Sequence, residues 1–225
     1  MTALLVARVS LMRLVRMPRL SLSLVPWLLI GIAGALAARG GAGVDRAMLG
    51  TYGAFVLPLA SYGVVGAIVG PGGMKKAVRE LVSLGGDRTR AALGATLASV
   101  AASAVLGAIL GAMVCAIAHR AGDPPLGADL FASTWVGALG GVAYGALFCA
   151  GASLGSGRMR SGMLAVDWIF GGGGVGAFVA PRGHLRALLG GPLCGDLSAR
   201  VSFGVLLAMA LVWGLVALRS GRKIS

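Results

Sequence analysis

Six long apolar stretches, separated by short segments that hold most of the charge, constrain this sequence more than any other feature. A helix needs about 20 predominantly apolar residues to cross the hydrocarbon core of a bilayer. The stretches cover residues 22–38, 50–70, 91–118, 132–154, 163–180 and 201–218. They predict an all-α integral membrane protein with six transmembrane helices, in which residues 1–225 form a single transmembrane domain.

The composition agrees with a membrane protein and excludes the soluble classes. Hydrophobic residues make up 57% of the chain, charged residues 12%, and the mean hydropathy is +0.90. A soluble domain usually carries about 25% charged residues, so this chain has too few to cover a wetted surface. The 39 glycines favour helices that approach each other closely, whereas the 3 tyrosines and 6 phenylalanines are too few for an aromatic-girdled barrel.

The distribution of basic residues predicts the orientation of the six helices. Fourteen of the 20 lysines and arginines fall on one side, so the positive-inside rule places both termini in the cytoplasm. The glycine- and alanine-rich composition favours a bacterial source, and therefore the cytoplasmic (inner) membrane. No basic segment is long or interleaved with stacking aromatic residues, which argues against nucleic acid as a partner. The basic residues of this side are Arg8, Arg13, Arg16, Arg19, Lys75, Lys76, Arg79, Arg88, Arg90, Arg158, Arg160, Arg219, Arg222 and Lys223.

The first 20 residues combine apolar and arginine side chains before the first apolar stretch. They predict a short helix in the cytoplasmic interface of the membrane, with arginine side chains that reach the lipid headgroups. A disordered basic tail is the alternative.

The cytoplasmic segment 72–90 holds an amphipathic pattern. Residues 74–84 predict a short helix with Met74, Val78 and Leu81 near one face. Gly85 and Gly86 stop this helix, and Asp87 is placed to cap the next one. A short amphipathic helix on a loop suits a groove on a partner protein, and a solvated loop that only orients the chain is the alternative.

This segment resembles the coupling-helix region of ABC-type exporter permeases. The resemblance rests on Arg-Glu-Leu at 79–81, followed by Ser-Leu-Gly-Gly-Asp-Arg-Thr-Arg at 83–90, which leads directly into an apolar stretch. The overall layout is closest to the ABC-2 type, which has an interfacial N-terminal helix, six spans, a coupling helix between spans two and three, and an external, partly re-entrant segment between spans five and six.

The resemblance implies a permease subunit that works as a homodimer or pseudo-dimer with a separate ABC ATPase subunit. It implies that ATP and magnesium are bound by that ATPase and that this chain holds no cofactor. The residues that would contact the ATPase are Arg79, Glu80, Leu81, Leu84, Asp87 and Arg88. An ATP-independent membrane scaffold or a small secondary carrier is the alternative.

The sequence argues against an enzymatic activity of this chain itself. It contains no G-x-x-x-x-G-K-[ST] phosphate loop, and the glycines and lysines of 70–76 have the wrong spacing for one. Residues 151–155 match G-x-S-x-G, but that motif requires a strand before the serine and a histidine within reach. The cysteines and histidines have no metal-ligand spacing.

The fifth apolar stretch carries a carboxylate and four consecutive glycines. Asp167 lies near its start, and Gly171, Gly172, Gly173 and Gly174 follow near its middle. A charged side chain at such a depth usually faces a cavity or a partner, and a glycine run weakens a helix. These residues are candidates for the lining of a transport pathway. The alternative is a close packing face, with Asp167 paired to Arg158 or Arg160.

The segment 181–196 is too apolar for an open loop and too short to span twice. It predicts a short helix at the outer interface or dipping into it. There Arg182, His184 and Arg186 either meet an anionic headgroup or act as interfacial anchors.

Overall fold

The computed structural model describes residues 2–16, 18–83, 85–155, 157–172 and 174–222, and in these ranges the chain is helical and holds no strand. The all-α prediction is confirmed. The helices are α1 Ala3–Arg16, α2 Pro18–Arg39, α3 Gly43–Arg46, α4 Leu57–Val69, α5 Gly73–Ser83, α6 Arg88–Ala118, α7 Leu126–Ser153, α8 Met159–Phe170, α9 Arg182–Leu188 and α10 Ala199–Arg222. A π-helix, Ala47–Val56, joins α3 to α4, and two 3₁₀ turns cover Gly174–Phe178 and Cys194–Asp196.

Within the described ranges, four segments are long and apolar enough to cross a membrane: Gly43–Ser83, Arg88–Ala118, Leu126–Ser153 and Ala199–Arg222. They contain the predicted second, third, fourth and sixth spans. The described apolar part of α2, Leu24–Arg39, is shorter, and α8 has only 12 residues. Six spans are therefore not confirmed by helix length and composition.

Helices α6 and α7 run antiparallel along a seam of small residues. A Cβ added to Gly137 would lie 2.5 Å from the carbonyl oxygen of Gly107, and one added to Gly111 would lie 2.7 Å from that of Ser133. Glycine allows such close approach of two backbones, which is how helices associate without a hydrophobic driving force in lipid. The Tyr52 hydroxyl enters this seam and donates to the carbonyl of Gly107 at 2.6 Å.

The π-helix that carries Tyr52 has a local cause. Pro58 has no N–H to donate, and its ring clashes with the carbonyl four residues earlier in a regular α-helix. The backbone before it widens, so that the N–H of Leu57 donates to the carbonyl of Tyr52, five residues back. This wider register turns Tyr52 into the interior, where its side chain is fully buried.

Many large apolar side chains lie on the outside of the bundle. Residues 136–153 of α7 are almost entirely buried, and α10 presents Leu207, Leu211 and Leu215 to the exterior. Val105 and Ile109 of α6 are about 60% exposed. A soluble protein would bury such side chains, so this arrangement fits a lipid-facing surface.

The bundle has two ends, which we name by their charge. At the basic end α4 ends, α6 begins, α7 ends and α8 begins, and α10 finishes at Arg222. Contacts of Gly221 with Met74 and Ala92 bring α5, α6 and α10 together there. The other end of the bundle, where α6 ends and α10 begins, is the opposite end.

The N-terminal residues form a helix, as predicted, and the disordered-tail alternative is wrong for residues 3–16. Helix α1 packs on α6, with Val6 buried and the carbonyl of Ala3 close to Gly94. Its interfacial position stays a prediction.

Candidate functional site

Helix α5 is held against its own bundle by its apolar face. Met74, Val78 and Leu81 are at most 3% exposed and belong to the hydrophobic core. The predicted amphipathic helix is present, but its apolar face fills a groove of this chain. Leu81, one of the predicted contact residues, is buried in this face; docking of α5 on a partner stays a prediction.

The polar face of α5 and the start of α6 carry the other predicted contact residues. Arg79, Glu80 and Arg88 are exposed. Asp87 accepts a hydrogen bond from the backbone N–H of Arg90 at 3.1 Å, which confirms it as the N-cap of α6. Leu84 lies outside the described residues.

Two glycines bring the loops of the basic end into backbone contact. Gly73 and Gly157 have positive φ angles of 76° and 85°, which disfavour any residue with a Cβ. A Cβ on Gly73 would lie 2.8 Å from the Cα of Gly157 and 2.7 Å from the carbonyl oxygen of Ala152. The start of α5 therefore rests directly on the connection between α7 and α8.

Replacing Gly73 by alanine is expected to lower the free energy of unfolding by about 2 kcal/mol or more. An alanine backbone in the left-handed region costs about 1–2 kcal/mol, and the collision of its Cβ with backbone atoms adds to this cost. Gly85→Ala is the matched control, since Gly85 has a φ of 85° but no atom within 4 Å of an added Cβ. Thermal unfolding in detergent measures both. Equal losses in the two variants would show that the contact with Gly157 contributes nothing.

Arg160 of α8 closes the space between α4 and α7. Its guanidinium lies 4.4 Å from the ring centre of Tyr62, and a Cβ added to Gly66 would lie 2.8 Å from it. The Tyr62 hydroxyl is hydrogen bonded to Ser161 at 2.8 Å. Arg160 is thus engaged with an aromatic ring and does not pair with Asp167.

Asp167 lies fully buried at the point where α8, α7 and α9 meet. Its carboxylate accepts a hydrogen bond from the Tyr144 hydroxyl at 3.0 Å and another from the backbone N–H of Arg182 at 3.2 Å. The alternative of a local pair with Arg158 or Arg160 is wrong. The N-cap residue of α9, Pro181, has no side chain that can accept a hydrogen bond, and the Asp167 carboxylate caps the helix in its place. The partial positive charge at the start of a helix favours a carboxylate there.

The predicted fifth span is interrupted. Helix α8 ends at Phe170 after 12 residues, which is about 18 Å against a hydrocarbon core of about 30 Å. Helix α9 then begins at Arg182, near Tyr144, and its Leu185 contacts Gly140 of α7. Gly190 and Ser133 line one cavity of about 200 Å³. Since α7 runs from 126 to 153, α9 continues from the middle of α7 toward the opposite end.

The short helix predicted within residues 181–196 is present as α9 and packs inside the bundle against α7 and α10. Its position relative to the membrane interface stays a prediction. His184 is fully buried and hydrogen bonds through Nδ1 to the Ser202 hydroxyl of α10 at 3.1 Å, so it meets no headgroup. Arg182 and Arg186 are half-buried.

The glycine run marks the interruption. Gly171 is buried, and a Cβ there would collide with the carbonyl of Asp167. Gly172 is exposed, Gly174 begins a 3₁₀ turn, and Gly173 lies outside the described residues. Their role in lining a pathway stays a prediction.

Sequence reasoning missed Tyr144 and Tyr52. Both are tyrosines inside apolar stretches, and a buried hydroxyl there requires a hydrogen-bond partner. That signal was available, but the partners Asp167 and Gly107 lie 23 and 55 residues away in sequence.

The described residues define an all-α protein with four helices able to cross a membrane, which fits the membrane class. A scan against models of known protein families and a search of curated proteins find no match to this chain.

Proposed function

We propose that this chain is the membrane-spanning subunit of an ATP-binding-cassette exporter of the ABC-2 type, driven by a separate ATPase in the bacterial inner membrane. The observation that carries the proposal is helix α5. It is fixed to the bundle by its apolar face and presents Arg79 and Glu80 outward at the basic end.

The contacts of α5 supply a route by which a partner moves the bundle. Gly73 rests on Gly157, which begins the turn into α8. Helix α8 ends beside Asp167, whose carboxylate holds the start of α9. A displacement of α5 by a partner would therefore move α8, and through α8 the segment between α8 and α9.

Close packing favours two copies of the chain over one. Residues 136–153 of α7 are almost entirely buried, and the backbones of α6 and α7 are in close contact at Gly107 and Gly137. A path for cargo then runs between two subunits, and each subunit docks one ATPase that binds ATP and magnesium. Both termini lie in the cytoplasm with the basic end.

Charge reversal of α5 tests the docking. Arg79→Glu and Glu80→Arg are expected to lower the amount of ATPase that co-purifies in mild detergent by roughly tenfold, because a lost charge pair leaves its partner unpaired at an interface. The control is Arg219→Glu, an exposed arginine of α10 at the same end. If the wild type retains no ATPase, or both α5 variants retain the wild-type amount, the exporter proposal is wrong.

A secondary carrier is the second candidate, and one observation favours it. In a six-span layout, the second span of each half is irregular: one holds the π-helix Ala47–Val56, and the other holds the end of α8 at Phe170 and the 3₁₀ turn Gly174–Phe178. Carriers place interrupted helices at corresponding positions of their halves. The π-helix also contacts the end of α9, since a Cβ on Gly53 would lie 3.0 Å from the Leu189 side chain. Uptake into vesicles driven by an ion gradient without ATP would identify the carrier.

A further inference from the structure

An apolar groove with one cationic residue opens between α7, α9 and α10 at the opposite end. It encloses about 500 Å³, and its lining residues are Trp135, Leu188, Ala199, Arg200 and Phe203. Trp135 and Phe203 form one wall, with their rings edge to face at 5.8 Å. Of these lining residues, Arg200 alone is charged. We call this space the Arg200 groove.

Arg200 stands where a helix least favours a cation. It is the second residue of α10, and the first turn of a helix carries partial positive charge. Its side chain is exposed and forms no ion pair or hydrogen bond among the described residues. An anion in the groove would neutralise both the guanidinium and the helix terminus.

An apolar track leads from Arg200 along the same face of α10. The track consists of Gly204, Leu207 and Leu211, which lie 4, 7 and 11 residues after Arg200. This spacing places them on one side of the helix over about 16 Å. Leu207 is 40% and Leu211 69% exposed. A Cβ on Gly204 would meet no atom within 4 Å, so the track is open at that point.

We propose that the Arg200 groove binds one anionic phospholipid from the membrane leaflet at the opposite end. The phosphate contacts the Arg200 guanidinium, and an acyl chain lies along Gly204, Leu207 and Leu211. A cation at the head of an apolar track matches an anionic amphiphile, and a zwitterionic lipid gains less from it. Leu188 belongs to α9, so the lipid also covers the junction of α9 with α10. The proposal does not depend on the exporter or carrier function.

Lipid titration followed by native mass spectrometry tests the site. The purified, delipidated protein receives phosphatidylglycerol or phosphatidylcholine with identical acyl chains. The wild type is expected to bind the first phosphatidylglycerol roughly tenfold more tightly, because both phosphates can accept from Arg200 but the choline cation of phosphatidylcholine cancels the net negative charge that the site attracts. Arg200→Gln is expected to remove this preference, and Gly204→Leu to weaken both lipids because its side chain fills the track.

Two variants serve as controls. Arg46→Gln removes another exposed arginine near the opposite end. Gly214→Leu adds a side chain to open space nearer the C-terminus of α10. Both are expected to bind lipid like the wild type. Equal wild-type affinity for the two lipids overturns the proposal, as does an unchanged preference in Arg200→Gln. If Arg200→Gln does not fold, the affinities of the wild type for the two lipids and the binding of Gly204→Leu still test the proposal. Unchanged lipid binding by Gly204→Leu would show that the lipid binds outside the Arg200 groove.

Discussion

Replacing Gly137 by leucine is expected to abolish accumulation of the folded protein. A Cβ alone at this position would lie 2.5 Å from both the carbonyl oxygen of Gly107 and the Tyr52 hydroxyl. Overpacking by a few methylene groups typically costs about 1–3 kcal/mol, and here the colliding atoms are largely backbone, which cannot move aside. Separation of α6 from α7 would also leave the Tyr52 hydroxyl without its acceptor.

Fluorescence-detected size-exclusion chromatography of a tagged protein measures the effect. Gly127→Leu is the matched control on the same helix, because no atom lies within 4 Å of a Cβ added there. The control is expected to give a wild-type peak, and Gly137→Leu an aggregate or no peak. A monodisperse Gly137→Leu protein with wild-type stability would contradict the packing of α6 on α7.

Asp167→Ala is expected to release α9 from the bundle. The substitution removes the acceptor for the Tyr144 hydroxyl, which is buried, and for the backbone N–H of Arg182, which is partly buried. Each unsatisfied buried donor costs about 1–3 kcal/mol, so local opening of α9 is expected to increase by tenfold or more. Tyr144→Phe removes only one donor and leaves the carboxylate bonded to Arg182, so its effect is expected to be smaller.

Cys194 reports this opening. Its thiol packs on Gly183 of α9 and is 4% exposed, and burial raises the pKa of Cys194 above its ordinary value. Maleimide labelling in a background with Cys115 and Cys149 replaced by alanine is expected to be slow in the wild type and at least tenfold faster in Asp167→Ala. Asp45→Ala, which removes an exposed acid, is the control. Equal labelling rates would show that Asp167 does not hold α9.

The helical content and the amphipathic α5 could be predicted from the sequence because both depend on local patterns. Asp87 is a capping residue just ahead of a long apolar stretch, and it caps α6 as predicted. Alternation of apolar and polar residues at helical spacing marks one face of α5 for burial. It does not identify what covers that face. For α5 the cover is this chain's own bundle, with Met74, Val78 and Leu81 in the hydrophobic core.

The interruption of the fifth span likewise could be predicted only in part from the sequence. The sequence marked Asp167 and the glycine run as unusual, because a carboxylate and consecutive glycines are costly in an apolar helix. It also predicted a short helix within residues 181–196, but it did not indicate that α8 ends at Phe170 or that the start of α9 packs on Asp167. The partner of Asp167 was also misassigned to nearby arginines.

Sequence alone determined that this chain is helical and that it fits a membrane, since helix hydrogen bonds and the hydropathy of a stretch are properties of neighbouring residues. Tertiary structure decided which surfaces meet: α5 with the bundle, Tyr52 with Gly107, and Asp167 with Tyr144 and the start of α9. The physical reason is that these contacts join residues far apart in the chain. Their pairing depends on how closely backbones approach at glycines such as Gly107 and Gly137, which no local pattern specifies.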